Sequence, residues 1–170
     1  KKRGKNYNGF LYVGLMIKDN EPFLIEYNIR MGDPECQVIL PRLKTDIVRI
    51  FKNTVQNKLK NINIKWENKK CMTIVLCAKG YPGIYKKNIN LDEIKKINLS
   101  KNNFIYHAGT KILNGKLLSN GGRILNVTST GNNYLKIRTS IISILKKLKI
   151  NYSFYRSDIG WKVIKKNENN

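Results

Sequence analysis

The sequence predicts an α+β fold, in which a β-hairpin and helices are followed by a small antiparallel-sheet domain with a packed helix. Two apolar-rich runs, at residues 10–17 and 22–28, flank a polar segment at 18–21, which is typical of a hairpin. Short extended runs and glycine-rich turns occupy residues 72–128. Apolar residues then recur at helical spacing between residues 132 and 150, which predicts a helix that packs by one face.

Length and composition indicate a globular chain. A chain of 170 residues allows one domain or two small ones, and 41% hydrophobic residues suffice for packed cores. The net charge of +22 would normally favour nucleic-acid binding. However, 26 of the 33 basic residues are lysines scattered in ones and twos among abundant asparagine and isoleucine. This pattern argues against a nucleic-acid partner, and a basic nucleic-acid-binding module remains the alternative from another class of protein.

The cysteines argue for a reducing compartment. Cys36, Cys71 and Cys77 are odd in number and form no Cys-x-x-Cys pair, which argues against a disulfide framework or a zinc site. Each is expected to be a small buried apolar residue. No apolar run is long enough to cross a bilayer. The sequence therefore predicts a cytoplasmic protein with no membrane partner.

The second strand of the hairpin carries a candidate metal site. If residues 22–30 are extended, Glu26, Asn28 and Arg30 share one face. A carboxylate beside an amide oxygen suits a hard divalent cation, and a guanidinium suits a phosphate. The alternative is the exposed face of an ordinary edge strand, with Arg30 in a surface ion pair. The opposite face carries apolar side chains expected to point into a core, at Phe23, Ile25, Tyr27 and Ile29.

Two helices are predicted after the hairpin. Asp33 could cap the first with Pro34 at its first position, and Pro41 would limit its length. Thr45 or Asp46 could cap the second, whose apolar residues run from position 47 to 55. The helical period is then lost. We expect domains at 1–58 and 71–166, a linker at 59–70 and a tail at 167–170.

The second domain is predicted to contain several strands and one long helix. Strands are expected at 72–78, 104–108, 116–118 and 123–128, with turns at 79–83 and 121–122 and a last ordered run at 152–164. The helix at 132–150 has an apolar stripe of Leu135, Ile141, Ile142, Leu145 and Leu148.

Six motifs in series resemble the phosphoribosylamine glycine ligase family, also called glycinamide ribonucleotide synthetases. The first motif is Glu26-x-Asn28-x-Arg30-x-Gly32-Asp33-Pro34-Glu35. The others are at residues 40–46, 79–83, 107–110, 120–123 and 156–160. The resemblance implies that the chain contains the end of an ATP-grasp domain followed by the family's C-terminal domain. Tyr27, Met31 and Arg42 depart from the family pattern at positions that concern packing.

The resemblance implies ATP-dependent ligation of glycine to 5-phosphoribosylamine through a glycyl phosphate, in purine synthesis. The implied cofactors are ATP and Mg²⁺ or Mn²⁺. The implied partners are ATP, glycine, 5-phosphoribosylamine and an N-terminal part of the same enzyme, without which the chain is expected to be inactive. Another ATP-grasp carboxylate-amine ligase is the alternative within enzymes. It would share Glu-x-Asn-x-Arg, whereas the motifs at 107–110 and 156–160 favour the glycine ligase.

The resemblance also implies roles for individual residues. Glu26 and Asn28 would hold the metal, and Arg30 would stabilise the phosphoryl group in transfer. Asp33 and Glu35 would orient the amine substrate or brace Arg30. A helix start is the structural alternative for these two acids.

Three residues of the second domain are weaker candidates for substrate binding. His107 is the chain's single histidine, which suggests a general acid or base, and the alternative is a structural histidine at a strand end. Gly122 and Arg123 could approach substrate, and the alternative is a hairpin corner with a solvated arginine.

Overall fold

The computed structural model of the protein describes Gly4 and residues 7–168. The chain divides into two compact units, Lys1–Asn68 and Lys69–Asn170, called here the first and second units. Both combine helices with antiparallel strands, so the predicted α+β fold is confirmed. The functional identities given to the two predicted domains stay predictions at this stage.

The first unit begins with the predicted hairpin. Strands β1 (Tyr12–Lys18) and β2 (Glu21–Asn28) pair antiparallel. Asp19 and Asn20 connect them with φ of 52° and 64°, the left-handed conformation that tight hairpin turns require and that Asp and Asn tolerate. The register places Tyr12 opposite Asn28 and Gly14 opposite Glu26, and it shifts directly after Gly14.

The hairpin's apolar side chains are not buried, contrary to the sequence prediction. Phe23, Ile25, Tyr27 and Ile29 are all exposed, Ile25 to 63%. The alternation was recognised correctly, but the described residues of the first unit provide no layer that covers this sheet.

Two helices follow. Helix α1 (Cys36–Ile39) continues into a 3-10 turn at Leu40–Arg42, which contains Pro41. Helix α2 (Ile47–Val55) begins as predicted at Asp46, whose carboxylate accepts a hydrogen bond from the Arg49 backbone N–H at 2.9 Å. A second 3-10 turn follows at Leu59–Asn61.

The predicted cap at Asp33 is wrong. Helix α1 starts three residues later, with Glu35 at the N-cap position and no side-chain cap. The Cys36 N–H donates to the Gly32 carbonyl, and Asp33 accepts from the Gln37 side chain. Asp33 therefore bonds a side chain of the helix, while Glu35 takes the N-cap position.

The second unit is built on a four-stranded antiparallel sheet. Its strands are β3 (Lys70–Ala78), β4 (Asn103–His107), β7 (Arg123–Gly131) and β8 (Ser153–Phe154), in the order β4-β7-β3-β8. A separate hairpin joins β5 (Thr110–Leu113) to β6 (Lys116–Ser119). The sequence analysis missed β5, because that strand is short and exposes Ile112 and Leu113.

Helix α3 (Tyr134–Leu148) packs on β3 and β7 and confirms the predicted long helix. Asn133 caps it by accepting from the Lys136 N–H at 3.0 Å. Leu135 was wrongly placed in the apolar stripe and is 47% exposed. The buried face follows the spacing i, i+4, i+7, i+8 and i+11 from Ile137. Its members are Ile137, Ile141, Ile144, Leu145 and Leu148.

A segment without regular strands also contributes to this core. Ile89 and Leu91 are buried with the sheet and α3, although the sequence analysis assigned them no element. Further along, helix α4 (Trp161–Glu168) extends past the predicted end of order at residue 164 and into the predicted tail. Residues 169 and 170 lie outside the described residues.

The three cysteines are half-buried thiols rather than fully buried side chains as expected. Partial burial raises the pKa of the Cys36 and Cys77 thiols. Over the described residues, none of the helices has the length and apolar character that a bilayer crossing demands.

Two leucines of α3 test the observed core. Leu145→Ala should lower the free energy of unfolding by about 2–5 kcal/mol, because Leu145 is 5% exposed and its truncation leaves a cavity. The matched variant Leu135→Ala should cost less than about 1 kcal/mol. Urea unfolding can be followed by Trp161 fluorescence in a Trp66→Phe background. Equal losses in the two variants would contradict the observed packing.

Candidate functional site

The predicted metal-binding pair lies side by side at the end of β2. Asn28 Nδ2 donates a hydrogen bond to Glu26 Oε1 at 3.0 Å. Across the hairpin stands Gly14, where a Cβ atom would lie only 3.0 Å from Glu26 Cγ. Glycine on the partner strand therefore leaves the space that the Glu26 side chain occupies.

The chemistry of this pair fits a hard cation. The hydrogen bond joins Glu26 Oε1 and Asn28 Nδ2. The other oxygen of each side chain, Glu26 Oε2 and Asn28 Oδ1, does not take part in this bond and is of the kind that ligates a metal ion. Carboxylate and amide oxygens are ligands that Mg²⁺ accepts, together with water and phosphate oxygens. In the part of the chain that the structure describes, there is no cluster of three or more histidine, cysteine or carboxylate groups suited to a metal ion. A cation held by Glu26 and Asn28 would therefore take part of its coordination from a bound ligand.

Arg30 lies just beyond β2, which ends at Asn28 as the predicted hairpin run does, so the extended conformation considered for residues 22–30 does not reach Arg30. Its Nη1 donates to the carbonyl of Met31 at 2.9 Å, and the residue is exposed. The guanidinium is therefore held near the strand end with further N–H donors available to a phosphate or carboxylate.

Glu35 is held by groups from two parts of the first unit. Its Oε1 accepts a hydrogen bond from the Tyr12 hydroxyl at 3.2 Å. A Cβ at Gly32 would lie 2.2 Å from Glu35 Oε2, so the carboxylate occupies space that only a glycine at position 32 provides. Asp33, by contrast, accepts from Gln37 Nε2 at 3.1 Å and is thereby tied to α1.

The sequence analysis did not single out Tyr12. It faces Asn28 across the hairpin, two residues from Gly14, and this pairing could not be known without the register. Desolvation raises the pKa of the Tyr12 phenol, and the charges of Glu35 and, less strongly, Glu26 raise it further. The two carboxylates therefore act on one hydroxyl, and the site is an acidic face.

Three of the quoted motifs meet at one end of the sheet in the second unit. The Gly109 N–H donates to the Arg123 carbonyl at 2.8 Å, and the Gly109 carbonyl accepts from the Gly121 N–H at 3.1 Å. A Cβ at Gly109 would lie 2.5 Å from Gly121 Cα. The Tyr81 ring covers Gly122, where a Cβ would be 2.1 Å from Cδ2. Close backbone contact thus requires glycine at these turns.

The candidate residues of the second unit are gathered at the same end. His107 ends β4 and pairs with Leu125, while Arg123 opens β7 opposite Cys77. The exposed His107 shares a hydrogen bond between Nδ1 and Thr110 Oγ1 at 3.1 Å. The structure therefore brings His107, Gly122 and Arg123 into one region, while their roles remain predictions.

The motif at residues 156–160 is fixed by arginines. Arg156 forms a forked pair with Asp158, with N–O distances of 3.0 and 2.6 Å, and this hydrogen bonding lowers the pKa of Asp158. Arg138 of α3, which the sequence analysis did not identify, donates to the carbonyls of Ser157 and Ile159. The motif thus has a structural role in anchoring the chain to α3.

Comparisons with known proteins agree with these motifs. The family model described as phosphoribosylglycinamide synthetase, C domain, matches residues 71–162. The model for the ATP-grasp (A) domain of the same enzyme matches residues 1–36. Among relatives, a phosphoribosylamine-glycine ligase of Caldanaerobacter subterraneus is 42% identical over 160 residues, which cover 94% of this chain and 38% of that protein.

Two further relatives extend the comparison. The human trifunctional purine biosynthetic protein adenosine-3 is 37% identical over 96% of this chain and 16% of its own length. The crystal structure of a phosphoribosylamine-glycine ligase from Thermotoga maritima matches with a TM-score of 0.70 and 32% identity, over 92% of this chain and 38% of that one. The chain therefore spans well under half of the relatives that it matches.

The glycine contact in the second unit is open to a direct test. Gly109→Ala should lower the free energy of unfolding by about 1–3 kcal/mol or more, because its Cβ would collide with the backbone of Gly121. Gly83→Ala is the matched control, since the added Cβ would lie 3.2 Å from the Gly80 carbonyl oxygen, a contact that a small shift relieves. Chemical denaturation measures both, and a G109A variant as stable as G83A would contradict the close contact.

Proposed function

The chain belongs to the phosphoribosylglycinamide synthetase family, and from this premise we propose that it forms the C-terminal part of a ligase that joins glycine to 5-phosphoribosylamine using ATP. In the first step a glycine carboxylate oxygen bonds to the γ-phosphorus, and the bond from that phosphorus to the bridging oxygen breaks to release ADP. The amine nitrogen then bonds to the acyl carbon and loses a proton, and phosphate leaves with the carbon–oxygen bond electrons.

The hydrogen-bonded pair of Glu26 and Asn28 carries this proposal. These two side chains would hold Mg²⁺ or Mn²⁺ through carboxylate and amide oxygens. When bound, the metal would neutralise charge on the ATP phosphates. Gly14 supports the same assignment, because its missing side chain leaves room for the Glu26 side chain beside Asn28.

Arg30 is proposed to act on the phosphoryl group. Its guanidinium is exposed beyond the strand end and bonds a neighbouring carbonyl through Nη1. The remaining N–H groups suit the equatorial oxygens of a phosphoryl group or the phosphate of the acyl intermediate. Such contacts strengthen as negative charge builds up on those oxygens.

Asp33 and Glu35 are proposed to orient the amine substrate, or to brace Arg30. Glu35 is the stronger candidate for contact with the amine. Its carboxylate accepts a hydrogen bond from the Tyr12 hydroxyl, and the charge of Glu26 acts on the same hydroxyl. Asp33 accepts a hydrogen bond from the Gln37 side chain. This contact suits a residue that holds the loop before α1 and the charged side chains beside it.

The second unit supplies a separate proposal for substrate contact. Arg123 could bind a phosphate, and His107 has an exposed imidazole. Gly122 is buried beneath the Tyr81 ring, so its proposed part is to hold the turn that precedes Arg123. Their common position at one end of the sheet supports this assignment.

The exposed hairpin supports the need for a preceding part of the polypeptide. Strands β1 and β2 expose eight large apolar side chains, which is unusual for a finished soluble surface. These are Val13, Leu15, Met16, Ile17, Phe23, Leu24, Ile25 and Tyr27. We propose that an N-terminal part of the same enzyme covers them and brings the rest of the ATP site, and that the enzyme is cytoplasmic.

The metal assignment is tested by Glu26→Gln in the full-length polypeptide that the proposal requires. ADP release with magnesium, glycine and freshly generated phosphoribosylamine should fall on the order of 100-fold, because a metal ligand contributes several kcal/mol of charge stabilisation. Glu21→Gln lies on the same strand, is exposed and should leave the rate unchanged. ADP release that does not depend on glycine would be consistent with an ATP-grasp enzyme but would contradict glycine as its substrate.

The need for a preceding part is tested with the chain by itself. The 170-residue chain should show no glycine-dependent ADP release, because the proposal places part of the ATP site elsewhere. The same assay on the full-length polypeptide is the positive control. Turnover by the chain by itself would refute this part of the proposal.

A further inference from the structure

Tyr12 links the two acidic elements of the candidate site. It stands on β1 directly opposite Asn28, so its side chain lies on the same face of the hairpin as that residue. Glu35 belongs to the loop before α1. The hydrogen bond from the Tyr12 hydroxyl to Glu35 Oε1, at 3.2 Å, therefore joins the strands to the loop.

Two glycines, Gly14 and Gly32, lie beside the contact between Tyr12 and Glu35. A Cβ at Gly14 would lie 3.6 Å from Tyr12 Cε1 as well as 3.0 Å from Glu26 Cγ. The tyrosine ring and the Glu26 side chain thus share the space above Gly14. A Cβ at Gly32 would displace the Glu35 carboxylate, which lies over that position. The position of the Glu35 carboxylate therefore depends on the missing side chain at Gly32, whereas a Cβ at Gly14 would be in ordinary van der Waals contact with the Tyr12 ring.

A packing role for Tyr12 explains only part of this arrangement. The residue also lines an apolar cavity of about 220 Å³ together with Phe10, Ile50 and Trp66, and its ring would fill that place equally well without a hydroxyl. The hydroxyl points to a carboxylate that is half-exposed. A long carboxylate side chain in a loop has many rotamers, and one hydrogen bond from a rigid strand reduces them.

We propose that Tyr12 is a positioning residue that holds the Glu35 carboxylate beside the Glu26–Asn28 pair, where it accepts a hydrogen bond from the amine substrate. This inference rests on the proposed function. Glu35 contacts the amine, and Tyr12 acts through Glu35. The consequence is specific to one substrate, because the Tyr12 hydroxyl donates to Glu35, the residue proposed to contact the amine.

Kinetics of Tyr12→Phe in the full-length polypeptide test the role. The kcat/KM for the amine should fall about 10-fold or more, since misplacement by about 1 Å costs up to about 100-fold. The KM values for ATP and glycine should change less than about twofold. Tyr7→Phe is the matched control. It also removes a hydroxyl of the first unit, one that lies 2.7 Å from the Phe10 carbonyl and 3.2 Å from the Ile29 carbonyl rather than at a carboxylate.

A double-mutant cycle tests the contact without using activity. In the 170-residue chain, Tyr12→Phe and Glu35→Gln should shift the urea midpoint non-additively, whereas Tyr7→Phe and Glu35→Gln should add. Trp66 fluorescence in a Trp161→Phe background reports on the first unit.

The outcomes separate the two proposals. Coupled midpoints with a loss selective for the amine support the positioning role. Additive midpoints, or equal losses of kcat/KM for all three substrates, overturn it. If the wild-type polypeptide shows no turnover that depends on glycine and the amine, the proposed function fails, and the role of Tyr12 toward an amine substrate fails with it.

Discussion

The register of the first hairpin is the constraint on which the candidate site depends. Gly14 lies opposite Glu26, and its missing side chain leaves room for the Glu26 side chain. Tyr12 lies opposite Asn28, and its hydroxyl donates a hydrogen bond to the Glu35 carboxylate. A shift by one residue would turn every one of these side chains to the other face. The tight turn at Asp19 and Asn20 and the register shift after Gly14 therefore determine the chemistry at the strand's other end.

Much of the molecule could be predicted from local patterns. The hairpin, the cap of α2 at Asp46 and the long helix α3 follow from alternation, capping and helical period. The pairing of Glu26 with Asn28 follows from spacing on one strand. These features were accessible because each depends on residues that are close in sequence.

Features that depend on distant contacts could not be predicted in this way. Tyr12 reaches Glu35 over 23 positions, and Arg138 anchors carbonyls 19 and 21 positions away. The start of α1 was misplaced by two residues, since Glu35 rather than Asp33 is at its N-cap position and Asp33 accepts a hydrogen bond from the Gln37 side chain. Leu135 and the hairpin's apolar face were misjudged because burial depends on which layer covers a residue, and periodicity does not specify that layer.

The uncovered hairpin has a consequence for the order of events during synthesis. Among the described residues it is a two-stranded sheet with an unpaired edge on each strand and apolar side chains on its surface. Such a sheet is marginal by itself and prone to aggregate. Chains leave the ribosome N-terminus first, and domains fold as units in that order. If the covering layer precedes the hairpin in the polypeptide, it is already available when β1 and β2 emerge, so the exposed intermediate is short-lived.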